Sequence, residues 1–204
     1  MLKNLNLIQS CQYIVEHCEE YAIIDTETTG LHGEVIDLAV IDPSGTVLFN
    51  ELLRPQCTIE EDAIAIHGIT ETMVAKARTF KEEWPRIQRA LDGRAIIVYN
   101  VDFDSKRIKY TAKVHGVTLP DMRWHCMMLK YAAFWGETNR YGYSSPAWQK
   151  LEVACRQQGI DLGVQQHRAL GDALATAALI RRLAELGENA KRWEIENWDE
   201  VIKS

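Results

Sequence analysis

The chain has no apolar run near the roughly 18–20 residues that a bilayer-spanning helix needs. It also has no internal repeat and no low-complexity tract, which sets aside repeat arrays and fibrous architectures. Proline and glycine are scarce, at 5 and 12 of 204 residues. With 25% charged and 47% hydrophobic residues, that scarcity excludes wholesale disorder and suits one well-cored domain with small appendages. Cysteines are few and odd in number (five), and no pair has C-x-x-C spacing. This favours free thiols in a reducing cytoplasm over a disulfide framework or a zinc site. The opening stretch "MLKNLNLIQSCQYIVEHCEE" lacks the unbroken apolar core and small-residue cleavage site of a signal peptide. It reads as an amphipathic helix over 1–20, with Leu5, Ile8, Cys11, Val15 and Cys18 on one stripe.

The formal net charge of -6 is unevenly spread. Acids dominate residues 1–105, and Lys and Arg dominate 106–168. That asymmetry fits a cation-filled carboxylate site beside a polyanion track, and equally fits ordinary surface scatter.

Three strands open the body: "YAIID" at 21–25, "EVIDLAVID" at 34–42 and "TVLFNELLRP" at 46–55. The short "PSG" turn makes the last two antiparallel. Helices follow, one starting at Thr70 with Met73 and Val74 facing in, and one over 79–91 capped by Thr79 with Phe80, Trp84, Ile87 and Leu91 inward. "AIIVYN" at 95–100 is apolar enough for the middle of a sheet. A helix ending at Gly116, a short strand leading into a helix within "DMRWHCMMLKYAAFW", and helices over 147–158 and 169–187 complete the pattern. The last is predicted to close at Gly187. The order gives an α/β domain: a mixed sheet of about five strands, three antiparallel and then two parallel, flanked by helices.

Chemistry gathers at three places. Asp25 and Glu27 share one face at the end of the first strand, because strand side chains alternate. Two acids so placed repel, and a hard cation between them removes the conflict. D-x-E alone also fits an ordinary exposed strand end. The fourth strand empties into Asp102 and Asp104, where Asp102 is a candidate helix cap. In "HRALGDALATAALIRRL", Asp172 lies beside an apolar stripe of Ala169, Leu170, Ala173, Leu174, Ala177 and Leu183, where an unpaired acid is costly. His167 stands five residues earlier at the helix start, suited to proton transfer near neutral pH, though also to a plain cap.

Together "IIDTETTGL", "YNVDFD" and "HRALGDA" resemble the three motifs of the DEDD 3′–5′ exonucleases, in the histidine-bearing DEDDh branch that includes the proofreading subunit of polymerase III and exonuclease X. The resemblance spans roughly 21–187 and leaves a tail over 188–204. It implies a ribonuclease H-like fold and metal-dependent 3′–5′ hydrolysis of single-stranded DNA to nucleoside 5′-monophosphates. It further implies Asp25, Glu27, Asp104 and Asp172 as ligands to two Mg²⁺, replaceable by Mn²⁺, with His167 as general base. By the same resemblance Thr28, Thr29, Leu31, His67, Asn100 and Phe103 contact the substrate's 3′ end. Asp102 falls on a variable position, and Arg168 stands where the tyrosine branch would carry its tyrosine. Tyr99 departs from the family's usual His before the Asn. An exoribonuclease or oligoribonuclease and a catalytically silent nucleic-acid-binding module are the alternatives. Trp135, Tyr141 and Tyr143 are candidates for base stacking, and Trp193, Ile195, Trp198 and Val201 for docking. A homodimer is compatible with these features, a polymerase partner is not favoured, and a membrane partner is not expected.

Overall fold

The structure, a computed structural model, describes residues 2–136, 146–161 and 167–196, the side chains of 2–5 and 188–196 excepted. Tyr141, Tyr143, Trp198 and Val201 lie outside the described residues, as do the side chains of Leu5, Trp193 and Ile195.

The elements run α1 (Leu2–Glu16), β1 (Tyr21–Thr28), β2 (Val35–Ile41), β3 (Val47–Leu52), α2 (Glu61–His67), α3 (Glu71–Val74) and α4 (Phe80–Leu91). They continue as β4 (Ala95–Val98), α5 (Val101–Val114), β5 (Trp124–Cys126), α6 (Met127–Trp135), α7 (Leu151–Gln157) and α8 (Ala169–Glu196). One sheet has the order β3-β2-β1-β4-β5. β1–β2 and β2–β3 are antiparallel, and β1–β4 and β4–β5 are parallel. The expected mixed sheet is therefore what forms, with β1 and β4 adjacent at its centre.

Alternation along β1 divides the molecule. Ile23 points into a core with Leu7, Cys11 and Ile14 of α1 and with Ala173, Leu179 and Leu183 of α8. Ala22 and Ile24 point into the opposite core with Phe80 and Ile87 of α4 and Ile108 of α5. Burying apolar faces on both sides of the sheet contributes about 25 cal/mol per Å². α4 is capped by Thr79, as expected, and Glu82 completes a capping box with it. Among the described residues no helix is long and apolar enough to cross a membrane. All five cysteines are free, and burial pushes the Cys11 and Cys155 thiols up to about 12, so they act as small apolar core groups.

Four expectations are corrected. α8 does not close at Gly187 but runs on to Glu196. Gly187 marks instead the crossing of α1, where an added β-carbon would lie 2.5 Å from Ile8 Cγ2 and 2.6 Å from Gln12 Nε2. The buried stripe of α1 is Leu7, Cys11 and Ile14, an i, i+4, i+7 series, while Cys18 belongs to a 3₁₀ turn at Cys18–Glu20. Met73 is 45% exposed and only Val74 turns inward, because four residues of α3 offer one buried position. Leu174 likewise faces out at 37% exposure. Within "AIAIHGIT" a helix, α2, also forms that sequence patterning did not indicate; it ends on Gly68 in the left-handed region at φ 71°.

Candidate active site

The sheet's alternation places Asp25 and Glu27 on the α8 side of β1, while Thr26 and Thr28 face the other way. Across from them the first turn of α8 supplies Asp172. Carboxylate oxygens of Asp25, Glu27 and Asp172 all lie within 4.8 Å of one another. Asp104 enters from the first turn of α5 and is 4% exposed. Asn100 sets that turn: its carbonyl accepts from the N–H groups of Phe103 and Asp104, both at 3.1 Å. Thr26 Oγ1 then donates to Asp104 Oδ1 at 2.8 Å. Phe103 is half-buried in the same turn. Asp102 points to solvent and pairs with Lys106 at 3.3 Å, so the helix is capped by Asn100 rather than by Asp102.

Gathering these acids without a counter-charge is unfavourable, and burial and mutual repulsion raise their pKa values. Asp25 is held well above the ordinary carboxylate range by burial, then by the charges of Asp104, Asp172, Glu27 and Asp37. Glu27 is pushed up to about 8 by burial and by Asp172, Asp37 and Asp104, against the opposing charge of Arg168. Burial raises Asp104 to about 7 despite the bond from Thr26. Asp172 is also raised by burial, against His167. Three close carboxylates that resist ionisation together form a hard, all-oxygen donor set, which fits Mg²⁺ or Mn²⁺. His167 is exposed beside this set and adopts φ 64°, the sole non-glycine among the described residues with a positive φ.

A shelf adjoins the acids. A bulge between Glu27 and Thr28 shifts the β1–β2 register there. Thr28 Oγ1 donates to Gly30 O at 2.8 Å, and Thr29 exchanges bonds with Glu34 through its N–H (2.8 Å) and its Oγ1 (3.0 Å). Gly33 is required by packing, since a β-carbon there would run into the Thr29 side chain and lie 2.8 Å from the Gly30 backbone nitrogen. Leu31 projects from this shelf at 68% exposure. His67 is buried behind it: Nε2–H donates to Thr28 O at 3.1 Å and Nδ1 accepts from Ile69 N–H at 2.9 Å. Both ring nitrogens are thus spent on the backbone, which makes His67 a prop of the shelf, and burial pulls its pKa down.

Asp37 and Glu34, buried acids behind the site and its shelf, escaped sequence reasoning. Asp37 is 1% exposed, stands opposite Glu27 and accepts from Arg168 Nε at 2.8 Å and from Ala169 N–H at 3.3 Å. Its signal was available, because it shares the face of Ala39 and Ile41 and is the one acid inside "VIDLAVI". Glu34 pairs with His115 at 2.7 Å, both side chains at most 3% exposed, and takes Gln56 N–H at 2.9 Å. Nothing local announces a partner 81 residues away.

Comparison with known proteins agrees with this geometry. A family model described as exonuclease matches residues 22–180. An uncharacterized exonuclease, CP81 of Escherichia phage 186, is 35% identical over 178 residues, covering 83% of this chain and 90% of the relative. Exodeoxyribonuclease 10 of Escherichia coli K12 is 31% identical over 163 residues, covering 78% of this chain and 66% of the relative. The structure of exonuclease X in complex with 5′ overhanging duplex DNA is 29% identical, covers 82% of this chain and 93% of that one, and superposes with a TM-score of 0.59. The nuclease domain of 3′hExo, a DEDDh family member bound to rAMP, shares the fold at 19% identity, with a TM-score of 0.65 over 81% of this chain and 92% of that one. With its mixed sheet, its converging carboxylates and a family match over 22–180, the chain belongs to the RNase T/DnaQ-like exonuclease family and is a nuclease.

Proposed function

We propose that the protein is a 3′–5′ exonuclease that removes nucleoside 5′-monophosphates from single-stranded DNA with two divalent cations and His167 as general base. The observation that carries this reading is the convergence of Asp25, Glu27 and Asp172 within 4.8 Å, with His167 exposed at their edge. Bound by these carboxylates, divalent cations supply an activated water and relief of charge on the phosphoryl oxygens. Asp25, Glu27 and Asp172 hold them, and Asp104, fixed by Thr26, adds a fourth carboxylate. His167 accepts a proton from the attacking water as the new P–O bond forms. The P–O3′ bond breaks, and the leaving 3′-oxygen takes its proton from solvent. Thr28 and Thr29 cradle the terminal sugar and phosphate, Leu31 lies under the terminal base, and Asn100 and Phe103 wall the cleft. His67 supports Thr28 from behind. The choice of DNA rests on the similarity to an exodeoxyribonuclease at 31% identity and to an exonuclease solved with DNA at 29%.

The test is cleavage of 5′-labelled single-stranded DNA and the matched RNA with Mg²⁺, Mn²⁺ or EDTA, with Asp25→Ala as control. A ladder shortening from the 3′ end, faster on DNA and absent with EDTA and in the variant, is the expected outcome. Faster shortening of RNA would replace the substrate; no shortening of either strand would leave only a binding module.

A further inference from the structure

We infer that Asp37 and Arg168 form a clasp that sets the position of His167, so that both are positioning residues for proton transfer; the inference rests on His167 being the general base. Asp37 lies outside the group of three close carboxylates, yet it is 1% exposed, near the start of β2. A buried carboxylate persists only where donors or a cation compensate it. Its Oδ2 has two: Arg168 Nε at 2.8 Å and the Ala169 N–H at 3.3 Å. The second is one of the N–H groups that the first turn of α8 leaves without a helical acceptor, where a negative charge is favoured.

Both donors directly follow His167. The left-handed φ of 64° at His167 is sparsely populated for a residue with a side chain, and it holds only where the surroundings over-determine it. Two acids do so here. The His167 backbone N–H lies near the Asp172 carboxylate and favours its charged form, and the Asp172 N–H donates to Arg168 O at 3.1 Å. Asp37 grips the next two residues from the sheet. The imidazole is therefore aimed by backbone held between Asp172, one of the three close carboxylates, and Asp37, which lies outside that group. Arg168 keeps 44% of its side chain exposed, so it can be replaced without opening a core cavity.

The experiment compares kcat and KM of D37N and R168Q, alone and combined with H167A, and follows amide hydrogen exchange at residues 168–170. Each single variant should lose roughly 10–100-fold in kcat, as is typical when a residue behind a site's working groups is changed, with KM unchanged. On the H167A background neither should cost anything more, because nothing remains to position. Exchange at Ala169 should accelerate in both, while the melting temperature of R168Q stays near that of the native protein. Undiminished losses on the H167A background, or a rise in KM alone, would overturn the clasp. Native turnover in H167A would sink the general-base assignment instead. Exchange then decides the clasp separately: an unchanged Ala169 amide in both variants overturns it.

Discussion

Thr26 and Asp104, 78 residues apart in the chain, meet in a buried 2.8 Å hydrogen bond, the Thr26 hydroxyl donating to Oδ1. Thr26 sits between Asp25 and Glu27 but faces the other side of β1. The same strand thus presents two acids to α8 and ties down a third from α5.

That bond favours the ionised form of Asp104, whose pKa burial already raises to about 7. Thr26→Val removes the donor, so the Asp104 pKa should climb by roughly one further unit. Carboxyl ¹³C titration of the metal-free protein reads this directly. An unmoved Asp104 midpoint would show that the hydroxyl does not govern the site's charge.

The raised carboxylates also fix the sign of a stability trend. Asp25, Glu27, Asp104 and Asp172 bind protons more tightly folded than unfolded. Their favourable contribution is full below the unfolded values of 3.8 and 4.5 and is lost as pH rises through about 7 for Asp104 and about 8 for Glu27. In EDTA the melting temperature should therefore fall between pH 5 and pH 8, by this contribution. Saturating Mg²⁺ or Mn²⁺ should restore it at pH 8, because a cation binds the ionised carboxylates of the folded state alone. A melting temperature indifferent to the metal at pH 8 would argue against a cation site.

His167→Ala should lower kcat by roughly 10²–10⁴-fold, the usual contribution of a positioned general base. Binding of a labelled oligonucleotide in Ca²⁺ should stay near the native value, since the shelf at Thr28 and Thr29 is built without His167. Equal losses in binding and turnover would assign His167 to substrate contact.

Gly187→Ala tests the α1–α8 crossing. Alanine improves helix propensity by about 1 kcal/mol, but its β-carbon would sit 2.5 Å from Ile8 Cγ2. Overpacking of that kind costs about 1–3 kcal/mol, so the variant should melt lower than the native protein. A stabilised variant would mean that α1 can move away at no cost.

Alternation and spacing made much of this protein legible from its residues. The apolar strand ending in Asp25 and Glu27, the strand emptying into Asp102 and Asp104, and the stripe carrying Asp172 bring the acids into view by period-2 and period-3.6 patterns, and the resemblance to the exonuclease motifs singles out Asp104 from Asp102. The antiparallel pairing of β2 and β3 followed from the short "PSG" turn, and the mixed sheet from the order of strands and helices. Only packing decided the rest. Gly187 reads as a helix end by local rules, yet it is the close approach of Ile8 that demands glycine there. His67 reads, by resemblance, as a contact to the substrate's 3′ end, whereas in the fold Thr28 O and Ile69 N–H take both of its ring nitrogens. Asp37 and Glu34 become intelligible only beside Arg168 and His115, 131 and 81 residues away. A pattern along one element reports which way a side chain points; it carries no information about which group from a distant element arrives to meet it.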